Sequence, residues 1–308
     1  MMAASAPGKL ILFGEHAVVF GEPAVSTAID LRVEVYARAH TEWLVDGASL
    51  DDPRYRYVKA AVARAGGTDP LWIEIRSQVP SGAGLGSSAA VAVATLASLQ
   101  SRLGRLDIPT IARTAFDVEH DVQGRASPVD TSTSSAGGGI LVLQEPREGL
   151  LWSIERDTRR WFLHRCELPP LDLVIGNTGI SAATGPLVAK VRDRVDRDHS
   201  AAEQILEIGR ISLDGLRALQ RNDLVEAGRL MDRNHELLTA LGVGHPLLDR
   251  LVAAARPHSF GAKLTGAGGG GSMVALTDTP EKAASAIRAA GGKAFVVRPE
   301  PRGVTTLP

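Results

Sequence analysis

Pro80-Ser81-Gly82-Ala83-Gly84-Leu85-Gly86-Ser87-Ser88 follows an alternating run, Leu71-Trp72-Ile73-Glu74-Ile75-Arg76, and precedes an alanine- and valine-rich stretch that ends at Leu103-Gly104. The pattern predicts a strand, a glycine loop and a helix over residues 87–103. Such a junction turns unpaired backbone N–H groups and the positive end of a helix dipole towards an anion. The hydroxyls of Ser87 and Ser88 can cap the helix or touch a metal. An ordinary loop before a capped helix has the same letters, so this segment alone leaves both readings open.

Two more glycine segments change the balance. Pro7-Gly8-Lys9 runs into Gly14-Glu15-His16, and Lys263-Leu264-Thr265-Gly266-Ala267-Gly268-Gly269-Gly270-Gly271 lies near the other end. A polyphosphate needs close backbone approach, free N–H groups and positive charge, and the segments offer all of these. Lys9 and Lys263 stand out because the chain has 6 lysines beside 28 arginines. The Walker-type pattern fails, since no Lys-Ser or Lys-Thr follows these glycines. The dinucleotide pattern fits by letter at Gly266, Gly268 and Gly271, but Ser272-Met273-Val274-Ala275-Leu276 reads as a strand where that fold needs a helix.

The chain has 308 residues, enough for two domains or one large one. With 34 basic and 35 acidic residues it carries no global field for nucleic acid or a membrane surface, so an anionic ligand must be held locally. The single cysteine, Cys166, forbids an internal disulfide and a multi-cysteine metal site, as suits a reducing cytosol. Residues 1–6 predict no signal peptide, and the small-apolar stretch 89–99 is interrupted by Thr95 and Ser98 and too short to span a bilayer. The expectation is a soluble, cytoplasmic protein.

Alternation predicts strands at 10–13, 24–38 and 71–76, a further strand at 137–144, and a helix from Pro109 to about Val122. Pro169-Pro170 then interrupts the pattern, which places a domain boundary at about 168 and divides the chain into 1–168 and 169–308. The second part reads as helical over 183–255, then strand at 272–276, helix at 280–290 and strand at 293–298. Strands and helices mix without strict alternation, so the class is α+β.

Glu119 falls at a helix end, and Asp130 lies in a stretch, 123–135, that has few apolar anchors and reads as an irregular loop. Alone they could be solvated acids. Phosphoryl transfer to an alcohol uses such a pair, one acid to hold Mg²⁺ and one to orient or deprotonate the hydroxyl. His235 and His245 read as polar helix and loop residues rather than metal ligands. Residues 190–197 read as a solvated helix face and Cys166 as a packed thiol.

Residues 6–21, Ala-Pro-Gly-Lys-Leu-Ile-Leu-Phe-Gly-Glu-His-Ala-Val-Val-Phe-Gly, resemble the first motif of the GHMP kinase superfamily, residues 82–90 its nucleotide loop, and residues 263–271 its third motif. The mevalonate kinases match best, through residues 6–21 and Leu241-Gly242-Val243-Gly244-His245-Pro246. Galactokinases typically carry Arg where Lys9 stands, and homoserine kinases lack Gly-Glu-His. The resemblance implies a two-domain α+β kinase with its site between the domains, passing the γ-phosphoryl of Mg·ATP to the 5-hydroxyl of (R)-mevalonate. It implies Asp130 and Lys9 as catalytic residues. Pro80, Gly82, Ala83, Gly84, Leu85, Gly86, Ser87 and Ser88, with Gly268 and Gly269, would hold ATP. Glu15, His16, Thr184 and Asp130 would meet mevalonate, and Ser88 and Glu119 would hold Mg²⁺. A homodimer is common among such relatives. The chain departs from the pattern at Pro128, where glycine is more usual, and at Ala182-Ala183, where some relatives place a basic residue. Phosphomevalonate, a sugar, homoserine or the 3-hydroxyl of mevalonate remain alternative targets, as does a non-catalytic sensor of ATP and a polyol.

Overall fold

A computed structural model describes residues 2–66, 69–124, 126–180 and 184–308, with the side chain of Leu103 excepted. Ala182-Ala183 therefore lie outside the described residues. Met2–Phe13 and Ala24–Ala39 form the antiparallel centre of the first sheet, with register shifts at Pro7/Gly8 and Ile11/Phe13. The first of these strands is buried along its whole length. It starts well before residue 10, where the sequence reading began it, because Ala3, Ala4 and Ala6 show no alternation to read although all three are buried; the helix Ser87–Gln100 packs against this strand. That helix buries nine residues and has no polar stripe, as its composition predicts. A turn of 3₁₀ helix, Ser101–Leu103, extends it to Gly104, whose φ of 73° ends it.

From one edge the sheet runs Ala48–Ser49, Leu44–Val45, Leu71–Ser77, Ala24–Ala39, Gly139–Leu143, Arg159–Cys166, Leu150–Arg156, and Met2–Phe13 branches from it. The second sheet is antiparallel throughout, in the order Gly261–Thr265, Ser272–Thr277, Asp172–Asn177, Lys293–Val297. The helices Thr184–Arg197, His199–Gln220, Leu224–Ala240 and Pro246–Ala255 separate the first strand of this sheet from the rest. The two domains are mixed helix and strand, an α+β fold. Residue 168 falls between the last strand of the first sheet and the first strand of the second. The chain end, however, comes back: Glu300 N–H donates to Ala28 O at 2.9 Å, Gly138 N–H donates to Glu300 O at 2.7 Å, and Thr305–Thr306 pairs with Met2–Phe13.

The largest departure from the sequence reading lies at 123–135. Val129–Ala136 is a helix with Pro128 at its start, and Asp130 stands in its first turn. The segment is anchored by Val129 in the second core and by two hydroxyls, those of Thr133 and Ser132. Thr133 Oγ1–H donates to Val129 O at 2.7 Å, Ser26 Oγ lies 2.7 Å from Thr133 Oγ1, and Trp152 Nε1–H donates to Ser132 Oγ at 3.3 Å. Proline suits a helix start, where a missing N–H costs nothing. The hairpin Leu150–Arg156 and Arg159–Cys166 and the strand Gly261–Thr265 have no counterpart in the sequence reading. Among the described residues no helix is long and apolar enough to cross a membrane.

Candidate active site

Gly82, Gly84 and Gly86 all take left-handed backbone angles, with φ of 69°, 73° and 70°. Gly86 immediately precedes the helix and supplies no side-chain cap, so the first N–H groups face the cleft open. A Cβ on Gly86 would stand 2.6 Å from Lys9 Cγ, so only glycine lets the lysine pass beneath the loop. The Lys9 N–H donates to Leu85 O at 3.0 Å, which fixes the strand to the loop. Lys9 Nζ then reaches Asp130 Oδ1 at 2.9 Å.

Behind this pair, Ser88 Oγ–H donates to Glu119 Oε1 at 3.0 Å. Burial pushes the Glu119 carboxyl up to about 8, and the charge of Asp130 adds to this, while the Ser88 hydrogen bond and Lys9 oppose it. Lys9, Ser88, Glu119 and Asp130, distant in sequence, thus line one cleft of about 1480 Å³. The same cleft is lined by Gly82, Ala83, Gly84, Gly86, Ser87, Gly268, Glu15, His16 and Thr184. Pro80, Leu85 and Gly269 do not line it. Leu85 is wholly buried in the first core, and the Gly269 N–H is already given to Val243 O at 2.8 Å.

Lys263 lies elsewhere than its motif suggested. Its side chain is completely buried and bonds Glu15 Oε1 across the two domains, so it offers no charge to a phosphate. Burial lowers the Lys263 pKa, and the Glu15 carboxylate counters that. Asn234 Nδ2–H donates to Glu15 Oε2 at 3.2 Å, so both carboxylate oxygens are engaged by protein. His16 adds another tie between domains: Nε2–H donates to Ala267 O at 2.9 Å, leaving Nδ1 buried as an acceptor with no partner among the described residues. Burial lowers its pKa, which favours this neutral tautomer.

His235 and His245 act locally. His235 Nδ1 accepts from Leu264 N–H at 3.2 Å, and His245 Nδ1 accepts from Leu247 N–H at 3.1 Å at a helix start. Cys166 is buried, and its thiol is pushed up to about 12. Among the described residues no group of three or more His, Cys, Asp or Glu could hold a metal by itself. The sequence reading missed Asn234, Tyr55, Tyr57, Arg156, Arg159 and Arg192, of which all but Asn234 line the cleft. For Arg192 a signal existed: Thr184, Val188 and Arg192 recur every fourth residue on the helix Thr184–Arg197 and face the cleft together.

This two-domain fold, with a glycine loop, a lysine–aspartate pair and a serine–glutamate pair around one cleft, is that of the GHMP kinases. The family model described as GHMP kinases N terminal domain matches residues 55–138, and that described as GHMP kinases C terminal matches residues 216–296. The chain is 38% identical to the mevalonate kinase of Archaeoglobus fulgidus over 98% of its own length and 99% of the relative's. It is 37% identical to that of Pyrococcus abyssi, over 99% and 97%. Among solved structures, L. major mevalonate kinase in complex with R-mevalonate aligns with a TM-score of 0.82 and 25% identity over 97% of this chain and 96% of that one. The chain belongs to the mevalonate kinase family of the GHMP kinases.

Proposed function

We propose that the chain transfers the γ-phosphoryl group of ATP to the 5-hydroxyl of (R)-mevalonate, giving 5-phosphomevalonate and ADP. The observation that carries this is the Lys9–Asp130 pair at 2.9 Å, set in the same cleft as the open glycine loop and beside the Ser88–Glu119 pair. Asp130 is the acceptor that orients the 5-hydroxyl and takes its proton. Lys9, fixed by Leu85 and Gly86, balances the charge that spreads over the moving phosphoryl oxygens. The N–H groups from Gly82 to Ser88 hold the triphosphate, and Gly266 and Gly268 close on it from the second domain. Thr184 and the His16 turn bound the alcohol end. Glu15 acts from behind, since its oxygens are already taken by Lys263 and Asn234.

The donors present suit Mg²⁺. Glu119 and Ser88 supply hard oxygens, and a buried carboxyl pushed up to about 8 by burial and a neighbouring acid gains from a cation. A site with few protein ligands is what Mg²⁺ uses when phosphate oxygens and water complete its shell. Held by Glu119 and Ser88, the ion would supply positive charge to offset that of the phosphate oxygens. The cytoplasm is the compartment this reading implies.

The test is ADP release with mevalonate, phosphomevalonate, galactose and homoserine in turn, with phosphorus NMR to locate the new ester. Turnover of mevalonate with the ester on its fifth carbon is expected. Turnover confined to another alcohol, or an ester on the 3-oxygen, would overturn the assignment.

A further inference from the structure

Lys9 and Asp130 meet at 2.9 Å from two different elements, the strand Met2–Phe13 and the helix Val129–Ala136. A segment that returns from the second sheet, residues 298–306, is bonded to both. Its Val304 N–H donates to Ser135 O at 3.0 Å, in the last turn of the helix, and its Thr305 pairs with Ser5 on the strand of Lys9. Ala28, which stands opposite Lys9 in the sheet, completes the link. Its N–H donates to Gly138 O at 3.0 Å, and its carbonyl accepts from Glu300 N–H at 2.9 Å. Gly138, just beyond the helix, in turn donates its N–H to Glu300 O at 2.7 Å.

One side chain brackets this segment. Arg32 donates through Nε to Ser5 Oγ at 2.8 Å and through Nη2 to Ser5 O at 3.1 Å, which holds it to the strand of Lys9. Its remaining contacts reach the segment: Nη1 donates to Arg302 O at 3.1 Å, Nη2 to Gly303 O at 2.8 Å, and Glu300 Oε2 lies 3.7 Å from Nη1. A planar fork of N–H donors can hold several fixed acceptors at once, where a lysine offers one point charge. Against the helix the fit has no slack. Gly303 does not take left-handed angles, so its backbone does not demand glycine, yet a Cβ there would run into Ser135 O and the Ala136 carbonyl carbon. Its missing side chain serves the close approach of segment and helix end.

We infer that residues 298–306, bracketed by Arg32, set where Asp130 stands relative to Lys9, and that Arg32 is a positioning residue for the transfer step although it does not line the cleft. The inference rests on the role given to Asp130 above. It is tested by measuring kcat and KM for ATP in Gly303→Ala and Arg32→Lys, each made in the wild type and in Asp130→Asn. The first variant wedges a methyl group between segment and helix; the second keeps the charge beside Glu300 and loses the fork. Each should lower kcat about tenfold in the wild-type background, since a misplacement of about 1 Å costs up to about a hundredfold. KM for ATP should stay at its wild-type value, which also reports a folded nucleotide site. In Asp130→Asn neither change should lower kcat further, because the group they displace is already disabled. An equal loss in both backgrounds would mark general damage and overturn the inference, as would an unchanged kcat in the wild-type background or a loss confined to KM for ATP. Arg32→Lys carries the same cycle alone where Gly303→Ala yields no folded protein. The cycle is run on whichever alcohol the wild type phosphorylates, so a wrong substrate does not touch it. An Asp130→Asn enzyme as fast as the wild type would instead sink the catalytic reading of Asp130.

Discussion

Lys9 and Lys263 each sit in a glycine motif and each pairs with a carboxylate, yet they end in opposite surroundings. The Lys9–Asp130 pair opens on the cleft, with 28% of the Asp130 side chain exposed, whereas the Lys263–Glu15 pair is exposed at neither end. An acid that keeps a face towards a cavity can exchange part of its contact for a substrate hydroxyl. An acid whose two oxygens are both taken cannot, and its lysine becomes a tie between domains. The same residue types thus serve chemistry in one place and architecture in the other, and burial decides which.

The largest effect that separates the two pairs should come from the closed one. Lys263→Met leaves the Glu15 carboxylate buried without its cation and should cost about 3–5 kcal/mol of stability, read from the urea midpoint. Adding Glu15→Gln removes the stranded charge and should restore a large part of the loss. A single variant as stable as the wild type would show that the pair ties nothing.

The open pair should respond in the opposite sense. Lys9→Met and Asp130→Asn should each lower kcat by about a hundred- to a thousandfold, roughly 2.7–4 kcal/mol of barrier, with the urea midpoint nearly unchanged and ADP still bound. Near-normal turnover in either variant would remove that residue from the reaction.

The comparison also marks how far the sequence could be read. The glycine loop, its helix and the α+β class were legible because strand alternation and glycine positions are local signals. The convergence of Lys9, Ser88, Glu119 and Asp130 was legible only through the family resemblance. Nothing in spacing alone brings residues 9 and 130 to 2.9 Å. The fate of Lys263 was not legible. Its partner Glu15, and the Asn234 that holds the other oxygen of that carboxylate, come from distant segments, and a lysine before a glycine run carries no mark of being wholly buried. The helix Val129–Ala136 was hidden for another reason: the residues it buries are mostly Thr and Ser, with Thr133 paired to the Val129 carbonyl and to Ser26, which a hydrophobic pattern does not register.

His235 extends the closed region and gives it a pH signature. Burial, then the charges of Arg256 and Lys263, lower its pKa from 6.5 to about 4, although Asp249 Oδ1 lies 3.5 Å from Nε2. The folded state therefore binds fewer protons than the unfolded chain between these values. This contribution is complete above pH 6.5 and is lost as pH falls towards 4. It should amount to roughly 3 kcal/mol. His235→Asn keeps an acceptor for the Leu264 N–H and should flatten the fall in urea midpoint over that window. An equally steep fall in the variant would assign it to other groups.

The smallest expected effect sharpens the open region, where the family resemblance gave the metal to Ser88 rather than to Ser87. Both line the cleft at the helix start, but only the Ser88 hydroxyl donates to Glu119, at 3.0 Å. Without it, among the described residues Glu119 Oε1 keeps only the Gln123 amide at 3.5 Å, too long to hold the carboxylate in one rotamer. Ser88→Ala should therefore raise KM for Mg·ATP about tenfold, roughly 1.4 kcal/mol, and added Mg²⁺ should recover part of it. Ser87→Ala, which loses no partner of this kind, should change it little. Equal effects from the two alanines would mean that the hydroxyls act only as helix-start polar groups, and the serine–glutamate pair would lose its claim on the metal.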